Sequence, residues 1–177
     1  MTSRPSAGGR FATEALASHP RGAFSCGNAE IDRYFHERVG QDQRTGAARC
    51  FLMVDLDADV IAGFYTLSST AVDATTIARQ VQAALKRKLP LHYGQVPAIL
   101  LGRMAVDLRY QSQGIGRALL TDALRRAKRL SYELGSAMVV VDPQSPEVAP
   151  FYQQYGFEPL TDSPVPRLFI RMDDVEL

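Results

Sequence analysis

Cysteine is scarce: Cys26 and Cys50 are the only two in 177 residues, too few for a disulfide framework. The three histidines, His19, His36 and His92, stand at no metal-ligand spacing with them, so no metal is expected. Long apolar runs are missing as well. No stretch reaches the length of a membrane helix, and MTSRPSAGGRF (1–11) lacks the apolar core of a secretory signal, so the expectation is a cytoplasmic protein that makes no membrane contact. An excess of charge is also absent, since the formal net charge is +1 and the chain as a whole gives no nucleic-acid signal. The charges are unevenly placed, however: RQVQAALKRK (79–88) carries cations and no acid, whereas the C-terminal DDVEL is acidic. Internal repeats, low-complexity tracts and domain linkers are likewise missing.

What is present suffices for one core, because 46% of the residues are hydrophobic in a chain of single-domain size. Residues 1–10, rich in Ser, Pro and Gly, read as a flexible lead-in, and 11–177 as one domain. Asn28 is a good N-cap, and Ile31, Tyr34, Phe35 and Val39 behind it recur at helical spacing, which predicts a first helix. CFLMVDL (50–56) and VIAGFYTLSS (60–69) read as an antiparallel pair with Gly63 as a bulge. A second helix is expected from Asp73 to Leu89-Pro90, with Ile77, Val81 and Leu85 on one face. AILLGRMAV (98–106) and SAMVVVD (136–142) have the pattern of buried strands. Between them Leu119, Leu120, Ala123, Leu124, Ala127, Leu130 and Leu134 keep the helical period from Gly114 until Gly135. PEVAPFYQQYGF (146–157) reads as a short helix closed by Gly156, provided Pro150 lies in its first turn, and a last hairpin follows around Phe157 and Arg167–Met172.

Gly114 and Gly116 thus stand between a buried strand and a long amphipathic helix. Unpaired N–H groups and the positive dipole end at a helix start suit a diphosphate, and side chains there would obstruct it. A plain strand-to-helix turn explains the two glycines equally well. The Gly-x-x-x-x-Gly-Lys-Ser/Thr loop is absent, and the dinucleotide pattern fails because Leu119 occupies the place of its third small residue.

Further residues decide between these readings. The order LLGRMAVD, LRYQSQ, GIGRALLTDAL, VVVD, APFYQQYGF resembles the GCN5-related N-acetyltransferase superfamily. The resemblance implies an α/β (α+β) single-domain N-acetyltransferase fold, its mixed central sheet splayed at two middle strands (99–107 and 136–142) and flanked by helices on both faces. It implies acetyl-CoA as cosubstrate, with the pantetheine arm against the backbone of Met104, Ala105 and Val106. The pyrophosphate would lie on Gln111, Ser112, Gln113, Gly114, Ile115, Gly116 and Arg117. Tyr152 holds the family's general-acid position, two residues after Pro150 and four before Gly156, with Tyr155 as its nearest competitor.

A narrower resemblance adds FSCGNAEIDRYF and GFYTLSS to that set, and these look like the tRNA-acetylating toxins of bacterial toxin–antitoxin modules. Phe24, Cys26, Gly27 and Asp32 match the Phe-x-Cys-Gly-x-x-x-Leu-Asp pattern, with Ile31 in place of Leu. This implies aminoacyl-tRNA as substrate, a ribbon-helix-helix antitoxin as partner, a homodimer, and blocked translation as the outcome. An α-amino group titrates near 8, and the ester of an aminoacyl-tRNA lowers that value, so a strong base is dispensable. Arg103 stands where many relatives carry Glu, which agrees with that reasoning. Arg79, Lys86, Arg87 and Lys88, together with Arg117, Arg125, Lys128 and Arg129, are either a solvated surface or an RNA cradle, and Arg33, Arg38 and Arg44 are further candidates. Asp122 is expected to pair with Arg126 at i,i+4. Cys26 reads as a small buried residue and not as a nucleophile. Two other readings are an acetyltransferase for small-molecule or protein amines and an inactive CoA-binding module.

Overall fold

The computed structural model describes residues 9–176. Its strands are β1 (Phe11–Ala15), β2 (Arg49–Asp55), β3 (Val60–Asp73), β4 (Gln95–Val106), β5 (Met138–Val141), β6 (Glu158–Pro159) and β7 (Leu168–Arg171). They hydrogen-bond in the order β1-β2-β3-β4-β5-β7-β6. The helices are α1 (Ala29–Arg33), α2 (Val39–Thr45), α3 (Arg79–Leu85), α4 (Ile115–Ser131) and α5 (Ala149–Gln153). The sheet is mixed, as expected: β4 and β5 run parallel, while β1–β2, β5–β7 and β6–β7 are antiparallel. β5 pairs with Ala98–Leu101 and ends at Val141, so β4 continues to Val106 beyond the end of its parallel neighbour.

The chain forms two compact units, one running through Tyr65 and Met104–Leu119, the other comprising Thr66–Arg103 and Leu120 onward. The division falls inside β3, β4 and α4. In the first unit, the Phe35 and Phe64 rings stack at 4.1 Å and Phe24 meets them edge-on at 4.8 and 5.4 Å. Leu52, Val54 and Ile61 belong to the same cluster. The second unit buries Val72, Val96, Met138, Val140, Leu160 and Phe169.

Several elements differ from expectation. The first helix starts where Asn28 predicts, its side chain accepting from the N–H groups of Glu30 and Ile31. It is not continuous, because Tyr34–Arg38 forms a π turn closed by the Val39 N–H on the Tyr34 carbonyl. Arg21 supplies hydrogen bonds at this widened turn: its Nε donates to the Phe35 carbonyl at 2.8 Å and its Nη2 to the His36 carbonyl at 3.3 Å. Asp73 caps a single 3₁₀ turn, and the Ala78 N–H then donates to the Leu160 carbonyl at 2.8 Å, so α3 begins only at Arg79. α4 stops at Ser131, short of Leu134, and both Leu130 and Leu134 of the expected apolar arc are exposed. Gly63 serves close packing: a Cβ there would lie 2.7 Å from Leu119 Cδ1 and 2.9 Å from the Ala105 carbonyl. β1 has no counterpart in the sequence reading. Of the expected lead-in, residues 1–8 lie outside the described residues, and Arg10 is fixed, its Nη2 donating to Asp55 at 2.7 Å. Pro150 sits in the first turn of α5, the place where its missing N–H costs nothing.

Candidate active site

The loop from β4 to α4 begins with Asp107, which is 2% exposed. Its N–H continues the strand by donating to the Ala62 carbonyl at 2.9 Å. Its carboxylate accepts from the Arg109 N–H and Nε at 2.9 and 2.8 Å, from Arg109 Nη2 at 2.9 Å and from the Ser25 N–H at 3.2 Å. Burial raises the Asp107 pKa, but the hydrogen bonds and the Arg109 charge outweigh burial and leave it below the usual range. The Leu108 N–H returns a bond to the Ser25 carbonyl at 2.8 Å. One residue of the Phe-x-Cys-Gly motif is therefore held on both its backbone groups.

Residues 111–114 are exposed and lead directly into α4. Ser112 (φ +62°) and Gly114 (φ +81°) occupy the left-handed region, which a side chain tolerates poorly. Nothing lies within 4 Å of where a Gly114 Cβ would be. The Ala118 N–H donates to the Gly114 carbonyl, which makes Gly114 the residue ahead of the first turn. The N–H groups of Ile115, Gly116 and Arg117 consequently have no carbonyl behind them in the helix. Ile115 is buried and anchors the turn, Gly116 is half-buried within the helix, and Arg117 is exposed. Gly114 alone of the two glycines needs its left-handed freedom; Gly116 sits in the first turn of α4. The Gln111 and Gln113 side chains turn inward: Gln111 Nε2 donates to the carbonyls of Cys26 and Val106 at 3.1 Å each, and Gln113 Nε2 to the Arg109 carbonyl at 3.0 Å. Met104 and Val106 are half-buried and Ala105 is buried at the end of β4.

Cys26 is unsuited to nucleophilic work, since burial pushes its thiol up to about 11. Its N–H donates to Asp32 at 2.8 Å, and the Ser25 hydroxyl donates to the other oxygen of the same carboxylate at 2.8 Å. Gly27 (φ +87°) lies against Leu108, whose Cδ2 is 3.2 Å from the position of a Cβ. The motif FSCGNAEID, besides starting the first helix at Asn28, therefore underlies the start of the loop. Its backbone contacts carry no sequence signal of their own.

In the second unit, Tyr152 lies on α5 with its ring between Phe151 and Phe157, at 5.1 and 5.6 Å. The residue is 6% exposed, and burial pushes its hydroxyl up to about 12. A phenol in this setting keeps its proton at neutral pH, so it can donate but cannot serve as a base. Tyr155 is half-buried and meets Phe151 at 5.4 Å. Arg103 is exposed on β4, and its N–H donates to the hydroxyl of the buried Thr66 at 2.9 Å.

The basic side chains separate by environment. Arg79, Lys86, Arg87 and Lys88 are exposed, as are Arg33, Arg38, Arg44, Arg125 and Arg129. Lys128 is committed to the Met172 carbonyl at 2.6 Å, and Arg126 pairs with Asp122 at 3.3 Å as its spacing predicts. Among the described residues, no three His, Cys, Asp or Glu side chains gather as metal ligands, and no helix is long and apolar enough to cross a membrane.

Residues 47–159 match the Acetyltransferase (GNAT) domain. The chain is 30% identical over 160 residues to a probable toxin TacT of Sinorhizobium fredii, covering 86% of this chain and 84% of that one. It is 31% identical over 151 residues to a tRNA-acetylating toxin of Mycobacterium tuberculosis, with 85% and 86% covered. Among solved structures, AtaT complexed with acetyl-methionyl-tRNAfMet superposes with a TM-score of 0.82 at 22% identity, over 93% of this chain and 96% of that one. An AtaT mutant bound to the C-terminus of the antitoxin AtaR and acetyl-CoA gives 0.77 at 21% identity, over 95% and 97%. The loop ahead of α4, the parallel β4–β5 pair and the tyrosine of α5 thus occur in a chain that belongs to the GNAT acetyltransferase family.

Proposed function

We propose that this protein is an acetyl-CoA-dependent toxin that acetylates the α-amino group of an aminoacyl-tRNA and so blocks translation. It acts in the cytoplasm with residues 11–177 as one domain, as a homodimer, and a cognate ribbon-helix-helix antitoxin neutralises it. The observation that carries the reading is the open cradle ahead of α4. The N–H groups of Ile115, Gly116 and Arg117, which have no carbonyl behind them in the helix, and the open space at Gly114 suit a diphosphate. The relative at 31% identity, named as a tRNA-acetylating toxin, supports the choice of acceptor, and the one at 30%, named as a probable toxin, supports the toxin reading.

In this reading the 111–117 loop holds the pyrophosphate through its backbone, with Arg117 adding charge, and backbone groups of Met104–Val106 take the pantetheine arm. The acceptor amine is already largely neutral at cellular pH. Its nitrogen attacks the thioester carbonyl, the C–S bond breaks as the amide forms, and the amine proton passes to water. Tyr152 donates its hydroxyl proton to the departing thiolate and regains one from solvent. No covalent acetyl-enzyme forms, so the high-pKa thiol of Cys26 has no chemical step to perform.

The test is mass spectrometry of bulk aminoacyl-tRNA after incubation with protein and acetyl-CoA, with a peptide amine and a polyamine as competing acceptors. Acetylated aminoacyl-tRNA is the expected product. Transfer to the competing amines alone would replace the toxin with a general N-acetyltransferase.

A further inference from the structure

We infer that Asp32, Asp107 and Gln111 are positioning residues for the acetyl-CoA loop: they tie the Ser25–Gly27 segment to the end of β4 and fix the path by which residues 111–117 leave that strand. The inference rests on the proposed reading of 111–117 as the acetyl-CoA loop.

A family match alone would point the Gln111 side chain at the pyrophosphate. Its amide nitrogen has two protons, and they go to the carbonyls of Cys26 and Val106 at 3.1 Å each. Only the amide oxygen remains, and an oxygen acceptor does not attract a phosphate. Gln111 instead bridges the last residue of β4 and the Phe-x-Cys-Gly segment.

That segment has its own supports. Asp107 holds the Ser25 N–H at 3.2 Å, and the Leu108 N–H holds the Ser25 carbonyl at 2.8 Å. Asp32, on α1, accepts from the Cys26 N–H and the Ser25 hydroxyl at 2.8 Å each, so both of its oxygens face donors. An asparagine of the same shape would turn an NH₂ toward one of them. Asp32 makes these bonds within the segment, so its influence on acetyl-CoA runs through Ser25 and Cys26 to Asp107 and Gln111.

Asp32→Asn and Gln111→Met, separately and combined, test this by calorimetric titration with acetyl-CoA, by kinetics with aminoacyl-tRNA, and by amide hydrogen exchange of 111–117 in the free protein. Each single change should raise Kd and KM for acetyl-CoA about tenfold, the scale of one or two lost hydrogen bonds. The kcat at saturation should stay within about twofold, and loop exchange should quicken. The double variant should be little worse than either single one, since both act through Cys26. Ile170→Val, in the other unit, provides a mildly destabilised control that should retain wild-type affinity. Unchanged affinity with unchanged loop exchange in Asp32→Asn, or simple additivity in the double variant, overturns the inference. A wild-type protein that binds acetyl-CoA but acetylates no tRNA refutes the toxin reading and leaves the positioning roles standing if the variants behave as stated. A wild type that does not bind acetyl-CoA removes both.

Discussion

The Tyr110 hydroxyl donates to the Asp55 carboxylate at 2.9 Å inside the first unit, and Arg10 closes on the same oxygen from the chain's N-terminal side at 2.7 Å. The N–H groups of Asp57 and Ala58 take the other oxygen, so the carboxylate anchors β1's approach, the β2–β3 turn and the turn after β4 together. Arg10 above all, then Tyr110, holds the Asp55 carboxyl well below the usual range despite burial.

Acid should therefore weaken the fold through Asp55. A carboxyl depressed in the folded state contributes stability above the unfolded value near 4, and that contribution is lost as pH falls from there through the folded value. Urea midpoints measured between pH 7 and 3 should fall in the acid range for the wild type. Asp55→Asn should begin lower at pH 7 and fall less on acidification; an identical acid slope would assign the effect to other carboxyls.

Gly114 and Gly116 should respond differently to alanine. Gly114→Ala places a side chain at φ +81° with open space around it, so its cost, about 1 kcal/mol, is one of backbone conformation. Gly116→Ala lies inside the helix and should stabilise it by up to about 1 kcal/mol. A weaker acetyl-CoA affinity in Gly116→Ala, with a higher Tm, would isolate obstruction of the cradle from unfolding. Valine at either position should weaken binding further, and unchanged calorimetric affinity in both valine variants would remove the diphosphate from this loop.

Tyr152→Phe keeps the packed ring and removes the donor. Turnover should fall about a hundredfold, the usual scale of acid–base assistance, with acetyl-CoA affinity and Tm retained. Because the hydroxyl is pushed up to about 12, the wild-type rate should show no decline from this group below about pH 10. Full activity in Tyr152→Phe would transfer the role to Tyr155 or water.

Reversing Lys86, Arg87 and Lys88 to Glu should weaken tRNA binding and reduce its salt dependence, since each lost phosphate contact releases fewer counterions. Acetyl-CoA affinity should not move. Transfer to tRNA that ignores the triple reversal would relocate the RNA surface to Arg33, Arg38 and Arg44 or to Arg125 and Arg129.

Legibility in the sequence followed how local the cause was. Asn28 caps α1 with its own neighbours, Pro150 starts α5, and the apolar runs of β4 and β5 become the parallel pair, because each depends on a few adjacent residues. β1 was invisible because FATEA becomes a strand only when β2 is beside it. The start of α3 is set by Leu160, far along the chain, and the tightness at Gly63 by Leu119 and Ala105. In the candidate site, the glycines mark the turn into α4, while its reading as a diphosphate loop comes only from the family resemblance. The inward turn of Gln111 could not be read from the sequence, because its acceptors are backbone carbonyls, one of them 85 residues away, which leave no trace in side-chain pattern.

The π turn at Tyr34–Arg38 also sets which way the helix after it faces. Such a turn holds one residue more than an α-helical turn, and one residue corresponds to about 100° of rotation around a helix axis. Everything downstream, from Val39 to Thr45, therefore presents a different side to its surroundings than an uninterrupted helix would. Arg21 bonding to two carbonyls at that point makes the extra residue affordable. Deleting one residue here would re-aim the exposed Arg44 without altering a single downstream amino acid.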